Sequence, residues 1–257
     1  MLIVLASSLR LHFPATGKNE SYDLTGTDRQ SLFLNESLKL VGYLKKYSPV
    51  ELAKILGISD IYAVRYAGYY EEWSLKKSEC PAVYLFDGDA YRKLKAKTLN
   101  KTQLGYLESS LRILSGLYGI LKPMDLIQPY RLEMGAKLPD LKGYAMYEFW
   151  RKKITHGLNR IIKKEQRKVL INLAPKEYFR AIDSKKLKAQ IITPVFLEER
   201  NHKGMMTSRQ VKQARGAMAR YAAIHNIQNP KDLKSFDEES YIFDEKLSNE
   251  TQWIFRR

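Results

Sequence analysis

Trp150-Arg-Lys-Lys-Ile154-Thr-His-Gly-Leu158-Asn-Arg-Ile161-Ile162-Lys163-Lys164, followed after four polar residues by Val169-Leu-Ile-Asn-Leu173, sets two hydrophobic periods side by side. In the first, Trp150, Ile154, Leu158, Ile161 and Ile162 recur at helical spacing, while Arg151, Lys152, Lys153, Arg160, Lys163 and Lys164 take other positions. That pattern predicts an amphipathic helix with a basic exterior. The second is a short continuous apolar run, the signature of a buried strand. Similar runs at Ile3–Leu5, Ala82–Phe86 and Ile191–Leu197 predict further buried strands, with helices in the periodic stretches between them. Tyr241–Phe243 and Thr251–Phe255, flanking Ser248-Asn249-Glu250, predict a closing hairpin at a sheet edge. The fold class is α/β, with a mixed α+β arrangement as the alternative. No Pro/Gly/Ser-rich linker, low-complexity tract or internal repeat interrupts the chain, so residues 1–257 read as a single compact domain.

One helix start is especially well marked. Ser48-Pro49-Val50-Glu51 places a serine N-cap, proline at the first helical position and a glutamate that completes a capping box. Leu52, Ile55 and Leu56 share a side of this helix, and Gly57 supplies a residue able to end it in the left-handed conformation. Ser59 then caps a second helix over Asp60–Tyr66, so residues 48–66 read as a helix-hairpin-helix element. Such hairpins offer backbone N–H groups and a helix N-terminus to a phosphate without reading bases. The alternative is an ordinary helical hairpin, and Asp60 sets a negative charge where a phosphate would lie.

The chain carries 44 Lys and Arg against 28 Asp and Glu, a formal net charge of +16. An excess of this size attracts polyanions through phosphate neutralisation and counterion release. The apolar start, Met1 to Ala6, meets Arg10 and His12 too soon for a signal peptide or a spanning helix. Cys80 is the single cysteine, which excludes an intramolecular disulfide and a cysteine zinc cluster and fits a reducing cytoplasm. It reads as a packed thiol rather than a nucleophile, because no helper histidine stands near it in sequence. His12, His156, His202 and His225 are scattered without ligand spacing, and no P-loop or Rossmann glycine pattern is present. No metal and no cofactor are expected.

Two further segments could carry chemistry. Over Thr207–His225, Ala214, Ala217, Met218, Tyr221 and Ala222 define an apolar face. Opposite it, Arg209, Lys212, Arg215 and Arg220 span an arc of roughly 140° at helical pitch. Either this is a solvated surface helix or it tracks phosphates. Leu114 to Gly135 holds Tyr118, Asp125, Gln128, Tyr130, Arg131 and Glu133 among glycines and prolines that preclude one long helix. This segment is either a site-forming loop or an irregular connection held by an ion-pair network of Arg131 with Asp125 or Glu133.

An ordered series of motifs runs nearly end to end. It comprises Leu111-Arg-Ile-Leu-Ser-Gly-Leu-Tyr118 through Gly135, Tyr147-Glu-Phe-Trp150, Asn172-Leu-Ala174 with Glu177-Tyr178-Phe179, and Pro194-Val-Phe-Leu197. Lys212 with Ala214-Arg215-Gly216 and Tyr241 with Phe243-Asp244 complete it. In this series the chain resembles the YaaA family of bacterial peroxide-stress proteins. The resemblance implies a single α/β domain of unusual topology with a central mixed sheet, a positively charged cleft and a helix-hairpin-helix element. It also implies DNA binding linked to protection against hydrogen peroxide, tied in the family to lowering free intracellular iron.

The departures from the family pattern fall on polar positions. Where Ser-Pro-Ala-Lys-Thr-Leu-Asp is usual, this chain has Ala6-Ser7-Ser8-Leu9-Arg10-Leu11-His12, and Phe-Lys-Gly-Asp becomes Phe86-Asp87-Gly88-Asp89. Asn-Leu-Ala-Ser continues here with Pro175-Lys176, Tyr66, Tyr69 and Tyr70 stand where an asparagine and an Arg-Phe pair are usual, and paired lysines become Lys212-Gln213. A diverged member is expected, with the framework kept and the cleft chemistry altered. Expected DNA contacts are Lys54, Gly57, Ile58, Ser59, Arg65, Arg209, Lys212 and Arg215. The alternative is an enzyme acting on a nucleotide, nucleobase or other phosphate-bearing small molecule. Its cleft would draw on Tyr118, Gln128, Tyr130, Arg131, Glu133, Asn172, Glu177, Tyr178 and Lys212. RNA is a weaker candidate partner, with Tyr69 and Tyr70 as base-stacking residues. Neither a membrane nor a stable protein partner is expected.

Overall fold

A computed structural model describes residues 1–12, 30–75, 80–198 and 208–257. Thr207 and His202 lie outside the described residues. The chain opens with β1 (Leu2–Ala6) and continues through α1 (Leu34–Leu44), α2 (Pro49–Leu56) and α3 (Asp60–Glu72). Next come β2 (Cys80–Pro81), α4 (Ala82–Leu85), α5 (Asp89–Leu94), α6 (Lys101–Ser110), β3 (Leu111–Ser115), β4 (Gly119–Leu121) and β5 (Leu126–Ile127). The second half holds α7 (Met146–Lys164), β6 (Val169–Asn172), α8 (Lys176–Phe179), β7 (Gln190–Leu197), α9 (Ser208–Ile224), β8 (Ile242–Asp244) and β9 (Gln252–Arg256).

Among the described residues seven strands form one mixed sheet in the order β4-β3-β1-β6-β7-β9-β8. Its five inner strands run parallel, and β4 and β8 close the two edges antiparallel. Parallel strands are covered on both faces, which is why they read as unbroken apolar runs rather than alternating ones. Leu2, Ile3, Val4 and Leu5 are all buried, and the register sets Val4 beside both Arg112 and Asn172. Cys80–Pro81 and Leu126–Ile127 make a separate two-stranded ribbon, and Cys80 is buried within it.

The α2 helix forms as its residues dictate. The Ser48 side chain accepts from the Glu51 N–H, Glu51 accepts from the Ser48 N–H at 2.8 Å, and Gly57 closes the helix at φ 60°. The basic helix, now α7, buries Trp150, Ile154, Leu158 and Ile162. The terminal hairpin is also present, with β8 at the sheet edge.

Three expectations are corrected. Ala82–Phe86 is not a strand: the Ala82 and Val83 amides donate to the carbonyls of Asp125 and Pro123, and Phe86 N–H then turns back to Ala82 O. A short apolar run without periodicity suits a buried helical turn as well as a strand, and hydrogen bonds to the Pro123–Asp125 segment chose the turn. The helix after Ser59 runs on to Glu72, because Ala63, Tyr66 and Tyr70 continue its buried face. The face of α9 opposite its apolar stripe is not a continuous free cationic arc. Arg220 donates to the carbonyls of Leu94 (3.0 Å) and Lys95 (3.2 Å), and Arg209 pairs with Asp89 at 3.5 Å.

Candidate functional site

Strand order creates a natural crevice. From β1 the chain goes on to the strand on one side of it, and from β6 to the strand on the other, so the connections leaving these neighbouring parallel strands diverge. Ligands of open α/β sheets sit at such a switch point, outside the carboxyl ends of the strands. A cavity of about 470 Å³ opens there, within the range of small-molecule sites. Its walls come from Leu5–Arg10 after β1, Leu173, Pro175, Glu177 and Tyr178 after β6, Gly88–Tyr91 at the start of α5, Glu133, and Lys212 and Arg215 of α9.

The floor is built of hydroxyls. Ser7 N–H donates to Leu114 O at 2.8 Å, extending the β1–β3 ladder past the strand end. The Ser7 side chain lies beside the phenols of Tyr130 and Tyr178, and Tyr130 is hydrogen-bonded to Ser115 at 2.7 Å. Burial pushes the Tyr130 phenol up to about 12 and raises those of Tyr91 and Tyr178, so all three stay protonated at neutral pH. Tyr91 spends its proton on Ala6 O at 2.9 Å. The buried Tyr178 oxygen, by contrast, completes no hydrogen bond of normal geometry. Close packing holds this floor against α5: a Cβ on Gly88 would lie 2.4 Å from Ser8 Oγ.

The opposite wall is cationic. A Cβ on Gly216 would stand 1.9 Å from Ala90 O, so glycine lets α9 lie directly on the α5 backbone. That contact sets Lys212 and Arg215 at the cavity. Burial alone lowers the Arg215 pKa, with no carboxylate close enough to offset it, and neither cation has an ion pair or hydrogen bond among the described residues. The carboxylates of the cavity are engaged. Glu133 pairs with Arg131 at 3.0 Å, and Glu177 accepts from Gly135 N–H at 2.8 Å.

The residues expected to form the cleft therefore divide. Glu133, Glu177, Tyr178, Lys212 and Arg215 converge on the cavity. Tyr118 and Gln128 are internal: Gln128 N–H donates to the Tyr118 hydroxyl at 3.1 Å, and the Gln128 amide exchanges bonds with the Ser74 backbone. Asn172 folds back to accept from Ala174 N–H at 3.0 Å, and Tyr130 lies beneath the floor. Arg131 reaches the cavity only through Glu133, while its buried Nε finds no acceptor. Of the network alternatives, Glu133 is the Arg131 partner, and Asp125 instead accepts from Lys122 N–H. Tyr70 is fully buried and donates to Arg131 O, which removes it as a base-stacking residue.

Lys54, Gly57, Ile58, Ser59 and Arg65 form a second locus at the α2–α3 turn, none of them in the cavity wall. Lys54, Ser59 and Arg65 are exposed. The α3 N-terminus has no side-chain cap, and open space surrounds the position a Gly57 Cβ would take.

Sequence reasoning missed Ser7, Ser8 and Gly88–Tyr91 as wall residues. The available signal was a polar pair placed directly after a buried strand. The departures noted above lie here: Asp87 forms a two-pronged pair with Arg92, Asp89 holds Arg209, and Arg10 reaches the cavity rim. Among the described residues no three His, Cys, Asp or Glu side chains cluster to hold a metal ion, and no helix is long and apolar enough to cross a membrane.

The profile of a family described as "Peroxide stress protein YaaA" matches residues 1–247. A UPF0246 protein of Neisseria meningitidis serogroup A is 44% identical, covering 87% of this chain and 88% of the relative. One from Janthinobacterium sp. (strain Marseille) is 42% identical over 100% of this chain and 98% of its own length, and one from Chromobacterium violaceum is 40% identical over 100% and 99%. The end-to-end coverage settles the identification: the chain belongs to the YaaA peroxide-stress protein family.

Proposed function

We propose that this protein serves peroxide-stress defence in the cytoplasm by binding duplex DNA through its backbone phosphates. The observation that carries the reading is the α2–α3 turn. The start of α2 is closed by its capping box, whereas the start of α3 is exposed, uncapped by any side chain, and reached through an unobstructed left-handed glycine. First-turn amides in that state, with the helix dipole behind them, attract a phosphate oxygen. Lys54 and Arg65 add charge beside the turn, and the net charge of +16 supplies long-range attraction.

A sphere of 470 Å³ is about 10 Å across, narrower than the major groove alone at about 12 Å. The duplex therefore stays outside the cavity, and Lys212 and Arg215 meet its phosphates only from the cavity rim. The family link to free intracellular iron belongs to the same proposal, as a consequence in the cell rather than a chelation step.

Fluorescence anisotropy with a duplex probe across a salt series tests the reading. Affinity should fall steeply as salt rises. Lys54→Glu with Arg65→Glu should weaken binding at least tenfold at low salt. Lys212→Glu with Arg215→Glu should weaken it less than the hairpin pair does, since a duplex does not enter their cavity. Affinity independent of salt, or unaffected by the hairpin pair, would overturn it.

A further inference from the structure

We propose that the switch-point cavity is a binding site for a phosphorylated ribosyl group, with Lys212 and Arg215 receiving the phosphate and Tyr178 donating to the sugar. The site is distinct from the hairpin surface, and the inference does not depend on DNA binding.

Two independent observations point to a ligand. The first is Arg215. The side chain is half-buried, burial lowers its pKa, and no carboxylate or carbonyl among the described residues compensates. By contrast, the half-buried Arg220 is met by two carbonyls, those of Leu94 and Lys95. A cation kept half-buried without a partner costs stability unless an anion joins it. Lys212 sits one helical turn earlier on the same wall, so two cations face one volume.

The second is Tyr178. The residue lines the same cavity, and its hydroxyl lies buried beside the Ser7 side chain with no hydrogen bond of normal geometry, whereas the neighbouring Tyr91 and Tyr130 phenols are both bonded. An unused buried donor of this kind costs stability when left unmet. Raised by burial, the phenol stays protonated and can donate to a neutral oxygen.

The organic part of the ligand follows from the remaining wall. Ser7, Ser8, Glu133 and Glu177 set hydroxyl and carboxylate groups along the floor and one side, and a carboxylate is the group that accepts from a sugar diol. Leu5, Leu9, Leu173 and Pro175 give an apolar flank. A phosphate at one end and hydroxyls along the other side describe a phosphorylated ribose, free or as part of a mononucleotide, and about 470 Å³ holds either.

Isothermal titration of the full chain with AMP, ribose 5-phosphate, adenosine and inorganic phosphate tests this. Saturable binding is expected for AMP, ribose 5-phosphate or both, at least tenfold tighter than adenosine or inorganic phosphate. AMP binding alone would identify a nucleotide site, and equal binding of both a sugar-phosphate site. Arg215→Met should weaken binding about ten- to a hundredfold, as for a charge-assisted phosphate contact. Tyr178→Phe, which removes one oxygen beside Ser7, should weaken it about fivefold with thermal stability little changed. The Lys54→Glu, Arg65→Glu chain should bind these compounds normally, so failure of the duplex reading and failure of this one are separable. Absence of saturable binding, inorganic phosphate as tight as the organic phosphates, or full affinity in both Arg215→Met and Tyr178→Phe would overturn the proposal.

Discussion

Arg112 and Arg215 stand at opposite ends of the same sheet, and the protein treats them oppositely. Arg112 enters at the amino end of β3, where its guanidinium donates to the carbonyls of Glu108 (2.9 Å) and Leu111 (2.7 Å) and pairs with Glu165 at 3.3 Å. Asp125 and Glu108 add negative charge around it. Arg215, at the carboxyl end of β1 and β6, has none of these among the described residues. Arg112 is buried and Arg215 half-buried, and for both burial lowers the pKa; they differ most in what faces them. A buried cation with a complete set of acceptors belongs to the structure, and one without is reserved for something that comes and goes.

The comparison makes unequal predictions. Arg112→Met should cost about 3–5 kcal/mol of stability in urea unfolding, because it strands two inward carbonyls and the Glu165 charge. A loss below about 1 kcal/mol, small for a broken buried pair, would erase the distinction.

Asp125 sharpens the same end of the sheet. Burial raises its carboxyl to about 7, against the partial relief of the Lys122 N–H and the Arg112 charge. The folded state thus holds a proton that the unfolded chain releases near pH 4. This stabilisation is complete below about pH 4 and is lost as pH rises through about 7. Asp125→Asn, which keeps an oxygen for Lys122 N–H, should remove that slope and gain on the order of 2 kcal/mol at pH 8. Parallel pH–stability curves for the two proteins would show that the carboxyl titrates normally.

The smallest effect is expected at Arg215. Arg215→Met should leave stability within about 0.5 kcal/mol or raise it slightly, since an uncompensated charge is exchanged for an apolar chain of similar length. A loss comparable with that of Arg112→Met would mean that Arg215 is structural after all.

Much of the framework was legible locally. Ser48, Glu51 and Gly57 define both ends of α2 because capping and left-handed closure involve only near neighbours. The buried faces of α7 and α9 follow from helical period, and β1, β6 and β7 from apolar runs, whereas β3, broken by Arg112, carries no such signal. Ala82–Phe86 failed because nothing within five apolar residues states which distant carbonyls their amides will meet.

Charge and site-forming residue types were visible in the chain, but their pairing was not. Arg209, Arg220 and Arg215 share one helix and one residue type; Asp89, the Leu94 and Lys95 carbonyls, and the switch-point cavity are what each respectively faces. Tyr118, Gln128 and Asn172 looked like site residues because they are polar within a motif, yet internal hydrogen bonds consume them. The sequence alone determined the elements whose energetics are set by short-range periodicity and caps, such as α2, α7 and β1. The cavity was decided by tertiary structure alone, because it arises where connections from two neighbouring strands diverge, and strand order is a property of the whole chain.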